Sequence, residues 1–513
     1  MSAFHGNPNR TDVSLFNLSG RSSGILLHLT SLPGKHGSGD LGADASRFLQ
    51  FLEKAGQSWW QMLPVGPPGS PPSFSPYDSC SGFAGNPYFV SLTTLEKESL
   101  LNPDDICPPK EFARSRVNFT RVHEYRDVKL RKAFINFVAK GSNPSDDFIR
   151  FCDMNAHWLE DFALYMALRI ESGGRPWTGW REEIRTRRPD AMEEVRHHLA
   201  DEIGYHRFIQ YMFDRQWKAL REKSKHHGIG LIGDLPIFVG HDSADVWSNQ
   251  ELFHLDRRGL PSRISGYPPD RFNADGQRWG HPQYNWARHR ATDFDWWIKR
   301  FSRMYEMFDA IRIDHFLGFT RTWSIPAHSE GAGKGRWVKS PGYELFSAVI
   351  KITGQHPMIA EDLGRVTPAD ITLRDTFGML PMRIFQFGFG KEADSGDHLP
   401  HNYKPLTAAY TGNHDNDTFK GWFSALTRAK KQKLLAYTGG RQASIHWDAM
   451  RTMSSSAANL VIFPLQDILG LDNRSRMNTP GTTKGNWNWR LNTKIPDTTV
   501  KRLRIQAKLF GRI

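Results

Sequence analysis

The 513-residue chain is long enough to bury a large core. Its composition, 39% hydrophobic and 24% charged, excludes a disordered protein. The net charge of +13 raises nucleic-acid binding, but Lys and Arg lie in clusters broken by acids and aromatics, as in REEIRTRRPDAMEEVRHH (181–198), and no zinc-finger, RNP or helix-turn-helix signature is present, so a solvated basic surface is expected.

Taken in chain order, the N-terminus MSAFHGNPNRTDVSLF has no basic region leading into an apolar block, so no secretory signal is expected. Eight short apolar runs follow, each ending in polar or special residues. They are SGILLHL (23–29), SWWQMLPV (58–65), GIGLIGDLPIFV (228–239), DAIRIDHF (309–316), PMIAEDLG (357–364), MRIFQFGF (382–389), TAAYTGNHD (407–415) and LVIFPLQDIL (460–469). Helix-like stretches separate several of them. DASRFLQFLEKAG (44–56) precedes the second, and 205–228 precedes the third with a stripe through Phe208, Tyr211, Met212 and Trp217. Strands apolar on both faces that alternate with helices imply a parallel sheet covered by helices. Eight such units, with no GxGxxG loop after the first, predict an α/β fold of the closed (β/α)₈ barrel type. The expected organisation is a single catalytic barrel over 1–513 with two insertions. One spans approximately 66–204 after the second strand, the other 240–308 after the third. No run of 18 or more apolar residues suggests a membrane span. Cys80, Cys107 and Cys152, widely spaced and odd in number, form neither a disulfide framework nor a zinc pattern, so a cytoplasmic setting is expected.

In barrels of this kind the site sits at the C-terminal ends of the strands. Those ends carry Asp234, Asp314, Glu361 with Asp362, and Asp415 with Asp417. One such acid is readily a loop cap or a structural ion pair; several at equivalent ends are harder to explain that way. In FDAIRIDHFLGF (308–319) side chains alternate, so Arg312 and Asp314 share a face. A metal site would want several ligands aimed at one point, and the cationic Arg312 opposes that. An adjacent guanidinium instead keeps Asp314 ionised. An ionised Asp beside a protonatable Glu is the pair that glycoside chemistry uses. The 17 tryptophans suit the flat faces of sugar rings, although most will be core.

The segments RIDHF, IAEDLG and TGNHDNDT resemble the catalytic regions of the 4-α-glucanotransferases, the amylomaltases and plant disproportionating enzymes of the wider α-amylase clan. SPYDSCSGFAGNPYF (75–89), GDLPIFVGHDSADVW (233–247), GYPPDRFNADGQRWGHPQYNW (266–286) and NTPGTTKGNWNWR (478–490) agree, so the resemblance covers nearly the whole chain. It implies Asp314 as nucleophile, Glu361 as general acid/base and Asp415 as transition-state stabiliser. It further implies that Arg312 orients Asp314 and that His414 and Asp234 hydrogen-bond the sugar ring. Asp270, Gln277 and Trp279 would belong to a loop, 266–286, that folds over the cleft, with Tyr77 near the donor subsites. His281, Asn413 and Asp78 stand where the family pattern has Asn, Thr and Ser; none removes a catalytic group. The implied reaction transfers a segment of an α-1,4-glucan to glucose or a maltooligosaccharide with retention. It needs no metal, nucleotide or phosphate, and its partners are α-1,4-glucans and maltooligosaccharides, not nucleic acid or membrane. The alternatives are an α-glucan hydrolase of the same clan, a metal-dependent nucleotide-sugar glycosyltransferase and a non-catalytic glycan-binding protein.

Overall fold

Runs that are apolar on both faces must lie between layers, and eight of them do. The computed structural model describes residues 16–71, 73–113, 115–140, 146–269 and 274–513. Among these, the strands are β1 (Ser22–Leu26), β2 (Trp59–Gln61), β3 (Gly230–Leu235), β4 (Arg263–Tyr267), β5 (Gln277–Pro282), β6 (Ala310–Ile313), β7 (Arg321–Pro326), β8 (Arg336–Lys339), β9 (Met358–Ala360), β10 (Leu380–Ile384), β11 (Ala408–Tyr410) and β12 (Leu460–Pro464). All but β4, β5, β7 and β8 pair in parallel as a closed barrel, in the order β1-β12-β11-β10-β9-β6-β3-β2. This is a (β/α)₈ barrel.

Trp59 shows how the sequence fits the barrel. Its register partners are Gly24 on β1 and Gly230 on β3. A Cβ on Gly24 would lie 2.6 Å from the Trp59 Cβ, and one on Gly230 would lie 2.5 Å from the indole. Glycine on both neighbours is what admits the ring. The helix Ala200–His226 prepares β3. It has acids in its first turn (Asp201, Glu202) and bases in its last (Lys223, Lys225, His226), which complement the helix dipole. Its buried stripe includes Phe208, Met212, Phe213 and Trp217. Each such side chain contributes about 1.5–3 kcal/mol of burial free energy. Past its C-cap, Gly228 at φ +66° reverses the chain into the strand.

Helices Phe119–Lys140 and Asp146–Glu171 lie in the long connection from β2 to β3. β4, β5, β7 and β8 form a separate antiparallel sheet, ordered β5-β4-β7-β8. That sheet draws on two connections, β4 and β5 from the one after β3 and β7 and β8 from the one after β6; the sequence reading had not singled out 321–339. One predicted run also divides. Of 382–389 only the start is strand, and Phe385–Phe389 winds into a 3₁₀ turn, its Phe385 and Phe389 buried against Phe419, Trp422 and Tyr437. Its apolarity serves burial, not sheet pairing. Among the described residues no helix is long and apolar enough to cross a membrane.

Candidate active site

The register of β3 on β6 sets Asp234 beside Arg312. The Arg312 Nη1 donates to both Asp234 oxygens, at 2.6 and 2.7 Å, and to Asp314 Oδ1 at 3.1 Å. Its Nη2 lies 3.7 Å from Glu361 Oε2. Burial alone would lower the Arg312 pKa, but Asp234, Asp314 and Glu361 outweigh it and hold it well above the ordinary value. A guanidinium therefore occupies the point on which three carboxylates converge. Removing it would strand a buried charge, at about 3–5 kcal/mol.

Asp314 follows the last residue of β6, tied by its N–H to the Leu235 carbonyl at 3.0 Å. His315 then adopts φ +45°, a left-handed conformation costly for a residue with a Cβ. The turn aims the His315 N–H at Glu361 Oε2, 2.5 Å away. Glu361 follows β9, and its own N–H donates to the Ile313 carbonyl at 3.1 Å. Burial pushes the Glu361 carboxyl up to about 8, reinforced by Asp314 and Asp415 and opposed by Arg312 and the His315 N–H. The next acid, Asp362, points the opposite way along the chain. It is buried against Arg374 (2.6 Å) and Arg383 (3.2 Å) and does not join the cluster.

Asp415 sits on the 411–418 loop after β11. Its side chain is 40% exposed, with Oδ2 3.4 Å from His414 Nε2 and Oδ1 accepting from Asn478 Nδ2 at 2.6 Å. Asn413 accepts from the Asp415 N–H at 2.9 Å, so this departure from the family pattern braces the loop. Asp417, also at this strand end, is paired with Arg476. Tyr77 stacks on His414 with centroids 5.1 Å apart and donates to Asp234 Oδ2 at 2.7 Å. The Asp234 carboxylate, expected to hold the ring, thus has both oxygens taken and no exposed side-chain surface. It lies behind Tyr77, fixing that ring and Arg312.

The β4–β5 hairpin overhangs this cluster. Trp279 packs edge-to-face with His315, with centroids 4.8 Å apart, and donates to Gln277 Oε1 at 3.0 Å. Asp270 lies outside the described residues. His281 stacks on Phe238 at 5.8 Å; burial lowers its pKa, and the nearby Asp78 and Asp314 carboxylates oppose that. Two of the departures therefore lie within electrostatic reach of each other beside Asp314. Sequence reasoning missed the residues that hold the site from outside it. Trp487, with centroids 5.7 Å from Tyr77 and 5.9 Å from His414, completes an aromatic wall. Arg476 and Asn478 brace the Asp415 loop; Trp487 and Asn478 stand in NTPGTTKGNWNWR, where no single residue had been picked out. His28, buried beneath, is pushed down to about 3 by burial and by His414.

The chain is similar to known proteins along nearly its whole length. The model of the 4-alpha-glucanotransferase family matches residues 27–496. The chain is 42% identical over 480 residues to the 4-alpha-glucanotransferase of Thermus thermophilus, covering 92% of this chain and 95% of that one. It is 43% identical over 504 residues to that of a Synechocystis strain, covering 96% and 99%. The amylomaltase of Streptococcus agalactiae in complex with acarbose superposes with a TM-score of 0.92 at 36% identity, over 96% of this chain and 99% of that chain. On sequence and fold alike, the chain belongs to the 4-alpha-glucanotransferase family of enzymes.

Proposed function

We propose that this cleft moves a segment of an α-1,4-glucan from one chain to another sugar by double displacement, with Asp314 as nucleophile, Glu361 as acid and then base, and Asp415 as stabiliser of the transition state. The observation that carries this reading is the division of labour between two neighbouring carboxyls. Glu361 is pushed up to about 8 and so holds a proton at neutral pH, while Asp314 lies against the Arg312 guanidinium. Asp314 attacks the anomeric carbon as Glu361 gives its proton to the departing oxygen. The resulting ester at Asp314 is neutral, which removes one of the charges that raise Glu361. Glu361, now more acidic and deprotonated, takes the proton of the incoming hydroxyl, and a second inversion restores the α configuration.

Asp415, partly in solvent and held through Oδ1 by Asn478, keeps Oδ2 beside His414 Nε2. Arg312 orients Asp314. Tyr77, His414 and Trp487 line the donor side, and Gln277 and Trp279 cover the intermediate. Covering favours a bound sugar over water, which separates transfer from hydrolysis. The free thiols at Cys80, Cys107 and Cys152 support a reducing, cytoplasmic setting.

The test uses maltotriose alone. Glucose plus a ladder of longer maltooligosaccharides, unaffected by a chelator, supports the proposal. Reducing ends rising with bond breakage and no longer products would make the enzyme a hydrolase. For the roles, Glu361→Ala should still be glycosylated at Asp314 by α-glucosyl fluoride, whose leaving group needs no proton, and mass spectrometry should find the adduct. An adduct on a peptide lacking Asp314 would overturn the assignment.

A further inference from the structure

β12 ends at Pro464, and the chain then runs along the outer side of the 411–418 loop. Residues 466–478 hold that loop at both ends and in the middle. At the loop's start Thr411 Oγ1 donates to Asp467 Oδ2 at 2.6 Å, and just past its end the Phe419 N–H donates to Asp467 Oδ1 at 2.7 Å. Asn473 Oδ1 accepts from the Thr418 N–H at 3.1 Å. Arg476 Nη2 donates to the Asp415 carbonyl at 2.5 Å, and its Nη1 pairs with Asp417. Asn478 donates from Nδ2 to Asp415 Oδ1 and from its backbone N–H to the His414 carbonyl at 3.0 Å. From the 3₁₀ turn after β10, Gln386 Nε2 donates to the Asp417 carbonyl at 2.9 Å.

Asp467 is 1% exposed. Its two oxygens are spent on a hydroxyl at the start of the loop and an amide just past its end, so the desolvation of a carboxylate is set against neutral donors rather than a cation. Burial pushes it up to about 6. An apolar residue at this place would leave the buried Thr411 hydroxyl and Phe419 N–H without their acceptor. What the carboxylate supplies, and an apolar side chain cannot, is a fixed distance between the loop's two ends.

We infer that residues 466–478 are a positioning strap for Asp415, with Asp467 as the clasp that sets the span of its loop. The inference rests on the proposed role of Asp415. Asp467 touches no substrate; it acts through the loop. Displacing a catalytic group by about 1 Å costs about 10²-fold, so a loosened clasp lowers turnover more than binding.

The experiment compares Asp467→Ala, Asp467→Asn and Asp415→Asn, and the double variant Asp467→Ala/Asp415→Asn, by steady-state kinetics on maltotriose and by thermal unfolding. Asp467→Ala should lower kcat by about 10- to 100-fold with KM within about threefold. Asp467→Asn should recover most of that, because its carbonyl accepts from Phe419 and its amide donates to the Thr411 oxygen. In the Asp415→Asn background the further loss from Asp467→Ala should shrink to under about threefold, since the two act as one unit. Equal losses in both backgrounds would overturn the strap, as would wild-type kcat in Asp467→Ala. Should Asp467→Ala fail to fold, Thr411→Val opens half of the clasp, and a wild-type kcat there overturns the inference equally. A crippled Asp415→Asn beside an unimpaired Asp467→Ala rejects the strap alone. Wild-type turnover in Asp415→Asn would bring down the role of Asp415 and the strap together.

Discussion

Glu361 is the side chain whose surroundings say most. Its carboxyl, at about 8 in the folded protein against about 4.5 unperturbed, must be protonated to start the reaction. The kcat/KM profile should therefore fall on the alkaline side through about 8, with the slope of a single proton; a profile flat to about 9.5 would assign the acid elsewhere. The same shift predicts stability. The proton is bound more tightly in the folded state, so the contribution is complete below about 4.5 and is lost as pH rises through about 8. Glu361→Gln cannot ionise and should raise the unfolding temperature more at pH 8 than at pH 5, read by calorimetry. An equal gain at both would mean that the carboxyl is not strained by burial. Asp314, Glu361 and Asp415 were legible in the sequence because each follows the end of a strand. Asp362 was misleading, since one residue of offset turns it into a structural ion pair with Arg374 and Arg383. Asp467, Arg476 and Asn478 were not legible, because their partners come from another barrel connection and only the closed fold unites them.

At the level of elements, barrel strands read well and the pieces between them read poorly. Continuous apolar runs marked all eight positions, but three-residue strands such as β2, β9 and β11 do not show where pairing stops and buried turn begins. β7 and β8, RTWSIP and RWVK, are too short and too polar to stand out, and they acquire strand geometry only by pairing with β4 and with each other. Gly24→Ala would press a methyl to 2.6 Å from the Trp59 Cβ and backbone oxygen and should destabilise the barrel by about 1–3 kcal/mol, measured by denaturant unfolding. Gly20, whose added Cβ meets nothing within 4 Å, is the control. Trp279→Ala, which uncovers His315 beneath the hairpin, should raise the ratio of hydrolysis to transfer and not merely slow both. An unchanged ratio at a lower rate would reduce Trp279 to packing.

For the molecule as a whole, the charge of +13 has no partner in a neutral glucan. Turnover of maltotriose should change less than about twofold between about 50 and about 300 mM NaCl, since salt screens only charged encounters. A steep loss with salt would reopen an anionic ligand. The overhanging sheet has a consequence for anyone wishing to re-engineer this enzyme. β4 is hydrogen-bonded to β5 on one side and to β7 on the other, and β7 follows β6, the strand that delivers Asp314. A chimera that imports 263–282 from a homologue replaces only one side of that seam. The donor hairpin would meet a foreign β7, with its hydrogen-bond register unmatched and its outer groups open to aggregation. Acceptor preference should therefore travel between homologues only when 263–282 and 321–339 are transplanted as a pair, a modular unit that is contiguous in space and split in the gene.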